Sequence, residues 1–217
     1  MPTASGLDGQ IMYANESVYG TPVAVTRGIP HVAYQVTEKV AAIESKSVTP
    51  GKLTPMPAGR GQKWVEASLS YELAPQGLGF WAVPILGAVS TSGTNPYVHT
   101  ITPGLTEREK SKTVEINVPA VGTSEAWKIA GAFLTKASMA CKVGEIATVD
   151  VDVYGKAVTR AAATAFSAPA SWAPFTFANL AVTMDAAGTS FDEFSIDFET
   201  GLKLGRFVFD GTGLARA

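Results

Sequence analysis

The sequence has little of the side-chain chemistry on which enzymes and metalloproteins depend. Its 217 residues include one cysteine, Cys141, and two histidines, His31 and His99. A single thiol excludes an internal disulfide framework, and one thiol with two histidines does not make a Cys/His zinc site. No G-x-S-x-G nucleophile motif occurs, and the Gly-x-Gly segments lack the frame of a nucleotide-binding loop. We therefore expect no catalytic residue, no metal ligand and no cofactor.

Charged residues are also scarce. They make up 17% of the chain, against about 25% in an average globular protein. The formal net charge is −2, so the chain lacks the basic excess of an electrostatically driven nucleic-acid binder. Two interpretations remain open. The surface is rich in Ser, Thr and Gly, or other copies of the chain cover it, because charged residues are depleted at interface cores.

Long hydrophobic runs are missing too. The longest nearly apolar stretch, 78–89, is interrupted by Pro84 and Gly87 and is shorter than the roughly 20 residues of a membrane span. The first ten residues, MPTASGLDGQ, have neither the basic region nor the apolar run of a signal peptide. The sequence therefore predicts a soluble protein that is made in the cytoplasm and has no membrane partner.

Alternation with period two is the dominant pattern, and it is typical of half-buried antiparallel strands. It is clearest over 65–73, 114–118, 149–153 and 193–198. Further strands are expected near 31–36, 97–102, 126–141, 175–183 and 203–209. A short helix is expected over 75–89, because Pro75 suits a first helical turn, with Pro84 causing a kink or an early end. We expect one mainly β domain with an N-terminal arm over about 1–20, a long loop and a C-terminal tail.

The polar faces of the four clearest strands carry acids and no lysine or arginine. These acids are Glu66, Glu72, Glu115, Asp150, Asp152, Glu193 and Asp197. Mixed signs would relieve repulsion between neighbouring strands, so the bias is unusual. If the strands share one sheet, its acidic face would suit a pore through which DNA slides, since it offers the phosphates no counter-charge. The alternative is that these faces point to bulk water on different sides of the fold.

A basic segment spans residues 41–63. It has three prolines, three glycines and one acid, Glu44, against four cations: Lys46, Lys52, Arg60 and Lys63. Long segments without regular structure inside a compact domain are usually functional or disordered. The sequence therefore predicts a long, irregular excursion with a function of its own.

Several weak motifs follow one another in order over about residues 15–204. They are Tyr19-Gly20-Thr21-Pro22, the block from Val65 to Gly87, Tyr97-Val98-His99-Thr100 with Pro103, the strand 112–118, the hairpin 130–156, and the segment 175–198. In this order the chain resembles the major tail tube proteins of long-tailed, siphovirus-like bacteriophages, particularly those of actinobacterial and other Gram-positive hosts.

The resemblance implies a structural virion protein, not an enzyme. Its fold would be an antiparallel β-sandwich or partial barrel with one flanking helix. It also implies hexameric rings stacked into a tube, with other tail proteins at the tube ends. The tape measure protein and double-stranded DNA would occupy the lumen transiently, the DNA during ejection. The subunit would be assembled in the host cytoplasm and would reside in the tail of the virion.

The resemblance also implies a division of the chain and roles for particular residues. An N-terminal arm would span 1–20, the tube domain 21–204 with an inter-ring loop at 41–63, and a C-terminal arm 205–217. The residues expected to face the lumen are Asp150, Asp152, Glu193, Asp197, Glu66 and Glu115. The residues expected to contact the next ring are Lys46, Lys52, Arg60 and Lys63.

Two other functions remain open from the sequence. The chain could be the tube subunit of a contractile tail or of a tail-like secretion system, which shares the fold. It could also be a monomeric β-sandwich module that binds a surface, which predicts an exposed aromatic patch. Its four tryptophans, Trp64, Trp81, Trp127 and Trp172, are scattered along the chain, which argues against such a patch.

Overall fold

Antiparallel strands make up most of the structure, as the alternation predicts. This computed structural model describes residues 9–44, 57–94, 97–104, 110–118, 125–179, 183–184, 187–188, 191–202, 207–209 and 214–216. The strands are β1 (Gln10–Asn15), β2 (Arg27–Ile29), β3 (Ala33–Glu44), β4 (Pro57–Glu72), β5 (Gly87–Ser92), β6 (Val98–Pro103), β7 (Lys112–Val118), β8 (Glu125–Lys142), β9 (Thr148–Gly155), β10 (Ala157–Ala162), β11 (Thr183–Met184), β12 (Ala187–Gly188), β13 (Glu193–Glu199), β14 (Phe207–Phe209) and β15 (Leu214–Arg216). The helices are α1 (Leu78–Leu86) and two short 3₁₀ turns, Pro75–Gly77 and Phe177–Asn179.

The long strand β8 divides a nine-stranded sheet into two halves. Its first part pairs with β7 and β10, and its second part pairs with β9 and β13. Between the two parts lie Gly131, at φ +63°, and a register shift between Leu134 and Lys136. We call the β2-β1-β7-β8-β10 part half I and the β3-β4-β9-β8-β13 part half II. The sheet is not closed into a barrel.

Both halves and the helix contribute to one hydrophobic core. Half I supplies Ile11 and Ile116, half II supplies Leu69 and Val151, and α1 supplies Phe80. Strands β4 and β9 bury alternate side chains, such as Val65, Ala67 and Leu69, because successive side chains point to opposite faces. The prediction of a mainly β, antiparallel sandwich with one flanking helix is confirmed.

Helix α1 is shorter than the predicted segment 75–89. The 3₁₀ turn Pro75–Gly77 comes first, and α1 follows it from Leu78 to Leu86. Pro84 lies inside the helix. Gly87 has φ +99°, in the left-handed region, where a residue without a Cβ carries no steric penalty. The chain leaves the helix there and starts β5. In the part of the chain that the structure describes, no helix has the length and apolar character to cross a membrane.

Three sequence predictions need correction at the ends of the domain. The N-terminal arm expected over 1–20 is not an arm from residue 10 onward, because β1 lies between β2 and β7 in the sheet. The strand expected over 175–183 is a 3₁₀ turn at Phe177–Asn179, followed by the two-residue strand β11. Within the predicted C-terminal arm, β14 and β15 pair as a short hairpin. Residues 1–8 lie outside the described part.

A buried carboxylate anchors the loop after β1. Glu16 is 5% exposed. Its Oε1 accepts hydrogen bonds from Thr113 Oγ1 at 2.8 Å and the Gly131 amide at 3.0 Å. Its Oε2 accepts from Ser111 Oγ at 2.5 Å and the Gly20 amide at 2.9 Å. Four donors thus satisfy the charge, and the carboxylate holds the 16–20 loop, β7 and the bend of β8 together.

Replacing this carboxylate is expected to destabilise the fold. In Glu16→Gln the side-chain NH₂ would face two of the four donors and leave them unsatisfied in the interior. We expect the free energy of unfolding to fall by roughly 2–3 kcal/mol, measured by urea denaturation. The control is Glu125→Gln at an exposed position, which should change the stability by less than about 0.5 kcal/mol. Equal stability of the two variants would contradict the anchoring role.

Candidate functional site

One face of half II is polar across all five strands. Strand pairing places side chains of directly opposed residues on the same face. Asp152 of β9 lies opposite Ser68 of β4 and Lys136 of β8, and Asp150 lies opposite Ser70 and Ser138. The face continues onto β3 through Thr37, which opposes Glu66, and onto β13 through Asp197, which opposes Ser138. We call this surface the polar face.

Five of the six acids predicted to face the lumen lie on the polar face, and all five are exposed: Glu66, Asp150, Asp152, Glu193 and Asp197. Glu72 and Glu199 join them by their pairing with Thr148 and Lys136. Three separate stretches of alternation, 65–73, 149–153 and 193–198, therefore contribute to one continuous surface. That this surface faces a lumen stays a prediction.

Glu115 does not belong to the polar face. It lies on β7 in half I and is 2% exposed. Its carboxylate is 3.1 Å from Lys128 Nζ and accepts hydrogen bonds from the Thr164 amide at 2.7 Å and Thr164 Oγ1 at 3.0 Å. The prediction that Glu115 lines a lumen is corrected. The segment after β10, which contains Thr164, covers Glu115, and the Glu115 carboxylate holds that segment in place.

The polar face is not purely acidic, which also corrects the expectation. Lysines of β3 and β8 approach three of its acids: Lys39 lies 3.9 Å from Glu66, Lys136 3.7 Å from Asp197, and Lys142 3.5 Å from Glu193. Exposed pairs like these contribute about 0–1 kcal/mol each to stability. The sequence analysis missed them because the lysines belong to strands other than the four with the clearest alternation.

The polar face nevertheless concentrates the negative charge of the chain. Seven carboxylates and three lysines give it a formal charge of −4, against −2 for the whole chain, so the remaining residues carry +2. Among the described residues, no ion pair joins Asp150 or Asp152 to a cation. Of the four acids of the face that no described ion pair compensates, Asp150 and Asp152 lie on β9, in the middle of the face, and Glu72 and Glu199 lie on β4 and β13.

Half II has two open edges. Among the strands that the structure describes, β3 pairs only with β4, and β13 pairs only with β8. An edge strand presents unpaired backbone N–H and C=O groups that can pair with another chain. The polar face is thus flanked on both sides by backbone groups available to further strands.

The described residues of the predicted irregular loop 41–63, which are 41–44 and 57–63, belong to paired strands. Strands β3 and β4 pair from Ala33 and Ser70 as far as Glu44 and Pro57, whereas β9 pairs with β4 only from Val65 onward. We call the described residues beyond that point, 38–44 and 57–64, the hairpin arm. Proline and glycine are tolerated here because both strands are edges and Pro57 is the first residue of its strand.

Two of the four predicted inter-ring residues lie in the hairpin arm. Lys63 lies in the arm, is exposed and forms an ion pair with Glu38. Arg60 lies in β4 opposite Ala42. Lys46 and Lys52 lie outside the described residues. Contact of any of the four with another ring stays a prediction.

The thiol of Cys141 is buried, and the imidazole of His99 is hydrogen-bonded within a strand pair. Cys141 is buried, and both burial and the nearby Glu145 raise the pKa of its thiol, so the thiol is protonated at neutral pH. His99 shares a hydrogen bond of 2.9 Å with Thr91 Oγ1 across the β5–β6 pair. In the part of the chain with described side chains, no three His, Cys, Asp or Glu residues are arranged to hold a metal ion.

Comparison with known proteins identifies the class. The family model described as phage tail tube protein matches residues 6–217, so the chain belongs to the phage tail tube protein family. It is a structural component of a virion tail, in agreement with the function predicted from the sequence.

Three solved structures align with this chain at low sequence identity. A chain of the virion of a native gene transfer agent particle aligns at 10% identity and TM-score 0.47 over 74% of this chain and 100% of that one. A chain of the anti-feeding prophage baseplate aligns at 9% identity and TM-score 0.46 over 75% of this chain and 97% of that one. A chain of an extracellular contractile injection system, the PVC sheath–tube complex in the extended state, aligns at 14% identity and TM-score 0.45. The alignment covers 74% of this chain and 93% of that one. No curated protein sequence gives a significant match.

Proposed function

We propose that this chain forms the phage tail tube as stacked hexameric rings whose polar faces line the lumen. The observation that carries the proposal is the polar face itself, with a formal charge of −4 in a chain of net charge −2. The opposite face of half II is apolar and packs into the core with α1. Only the polar face of half II is therefore free to meet a solvent-filled channel.

A net negative wall suits the passage of DNA. Six polar faces carry a formal charge of about −24 per ring, and stacking repeats it along the tube. Phosphates gain nothing by approaching such a wall, because binding to DNA depends on cations that displace its counterions. The three lysines of the face are engaged with carboxylates, which reduces their hold on DNA or on the tape measure protein.

The open edges of half II support assembly into a ring. Pairing β13 of one copy with β3 of the next would satisfy the exposed backbone groups of both strands. It would also continue six sheets into one closed inner barrel that has no edge left. The two edges run in the same direction, because four successive antiparallel pairings separate them. The hexameric number, the long-tailed phage type and the Gram-positive host rest on the sequence resemblance.

Electron microscopy of the concentrated pure protein tests the proposal. We expect rings or hollow tubes at high concentration, with light scattering that rises steeply above a threshold concentration. A chain that stays monomeric at millimolar concentration would contradict the proposal and favour a surface-binding module. In infected cells, tubes enclosed in a contractile sheath would favour the contractile alternative, and bare tubes the long-tailed phage.

A further inference from the structure

The end of half II opposite the hairpin arm carries an apolar groove. The β8–β9 turn, residues 143–146, and residues 176–178 line it, and its volume is about 360 Å³. Because β3 runs from Ala33 near this end to Glu44 in the arm, the groove and the arm lie at opposite ends of the same strands. We call this apolar groove the turn groove.

Backbone hydrogen bonds give the turn groove a fixed shape. The Phe177 amide donates to Glu145 O at 3.1 Å, and the Val143 amide donates to Asp192 O at 3.0 Å. Thr176 forms an isolated β-bridge with Ile146, and the Phe177 ring packs on that of Phe191 at 5.2 Å. The groove is therefore a preformed surface between two bonded segments.

The side chains of the turn groove are unusual for an exposed turn. Val143 is 59% exposed and Ile146 is 40% exposed, although turns favour Gly, Asn, Asp, Ser and Pro. Among the described residues, the rim is acidic, with Glu145, Asp192 and Glu193 against Lys142. An apolar floor with a negative rim fits a partner segment that has exposed aliphatic residues among positive charges.

The hairpin arm has that composition. Val40 is 49% exposed and Ile43 is 47% exposed, in the part of the hairpin that β9 does not reach. Residues 38–64, which include both segments of the arm, carry five cations and two acids. The arm therefore complements the turn groove in charge, and both have aliphatic side chains that a contact would remove from water.

We propose that the turn groove receives the hairpin arm of a neighbouring copy of this chain. The inference rests on the proposed function and adds to it the surface that the arm contacts. Because the two surfaces differ and lie at opposite ends of the strands, the contact is head-to-tail. Such a contact generates an open filament instead of a closed particle.

Cysteine cross-linking within assembled tubes tests this contact. In a Cys141→Ala background, the Ile43→Cys/Ile146→Cys variant places one thiol in the arm and one in the turn groove of every copy. Oxidised tubes should give a ladder of dimers, trimers and higher multimers on a non-reducing gel, because each copy links to the next. The matched control, Ile43→Cys/Val89→Cys, uses an exposed valine of β5 and should give no ladder.

The outcomes separate this inference from the proposed function. Tubes that form without an Ile43→Cys/Ile146→Cys ladder, or with equal ladders in both variants, would overturn the inference and leave the tube proposal intact. A groove thiol that still reacts fully with maleimide in tubes would show that no neighbouring copy covers the groove and would also overturn the inference. A parent chain that forms no tubes at all would remove both proposals.

A second variant measures the same contact without cross-links. Ile146→Lys removes an aliphatic side chain from the apolar floor and places there a positive charge that repels the basic segment 41–63, so the concentration needed for assembly should rise by about tenfold or more. Val89→Lys is the matched control and should assemble as the parent does. Both positions are exposed, so circular dichroism and thermal melting should be unchanged. Equal assembly by the two variants would contradict the contact.

Discussion

A chain without the hairpin arm is expected to fold and to remain monomeric. The design replaces residues 41–62 with Asn-Gly, which joins the cross-strand partners Val40 and Lys63 through a two-residue hairpin turn. The pairing of β4 with β9, which begins at Val65, is retained, so the core is unchanged. Without the arm, a copy loses its contact with the next one, and tubes should be absent at concentrations about a hundredfold above the threshold of the parent.

Light scattering and electron microscopy measure the loss of assembly, and circular dichroism checks the fold. The matched control shortens the other exposed hairpin, replacing residues 93–97 with Asn-Gly between the partners Ser92 and Val98. That variant should assemble normally, because nothing assigns β5 and β6 to the inter-ring contact. Tubes of normal length from the armless chain would disprove the role of the arm.

The strands of half II could be predicted from the sequence because each has one wet face. Alternation over 65–73, 149–153 and 193–198 marked β4, β9 and β13, since polar residues appear wherever a face meets water. The helix was placed within a few residues for a similar local reason, because Pro75 and Gly87 lie at its ends. The acidic bias of the polar face was therefore visible before the sheet order was known.

The charge balance of the polar face could not be predicted, because it depends on pairing between distant strands. Strand β8 buries side chains on both faces in its first part and bends at Gly131, so its alternation is blurred and Lys136 and Lys142 could not be assigned to a face. Glu115 alternates like a surface residue, yet a connector some 50 residues away covers it. Glu16 gives no sequence signal, since its four donors come from three separate segments.

The hairpin arm was mistaken for a loop because of its composition. Proline and glycine predict irregular backbone where both sides of a strand must be hydrogen-bonded, and that requirement is absent at an edge. Here β3 and β4 pair with each other while their outer sides stay open. The basic character of 41–63 was nevertheless a local property, so its interpretation as a segment that contacts something else did not depend on the backbone.

Reversing the two central acids of the polar face is expected to slow the release of DNA without preventing assembly. Asp150→Lys/Asp152→Lys changes the formal charge of the face from −4 to 0 and places unpaired cations in the middle of it. Both side chains are exposed, and the residues opposite them are Ser70, Ser68, Ser138 and Lys136. The change adds one repulsive surface pair, between position 152 and Lys136, which costs about 1 kcal/mol or less, so the fold should tolerate it. Cations on the wall would hold phosphates as the DNA passes, and release should slow on the order of tenfold at low salt.

The rate is measured as fluorescence of a DNA-binding dye after ejection is triggered in particles that carry the variant tube. Because binding to phosphate weakens steeply with salt, the difference from the parent should shrink as the salt concentration rises, whereas a defect in assembly would not respond in this way. Asp152→Lys alone should give a smaller delay, and Glu125→Lys, an equal charge change at an exposed position of half I, should give none. Unchanged release by the double variant in intact tubes would show that the polar face does not line the path of the DNA.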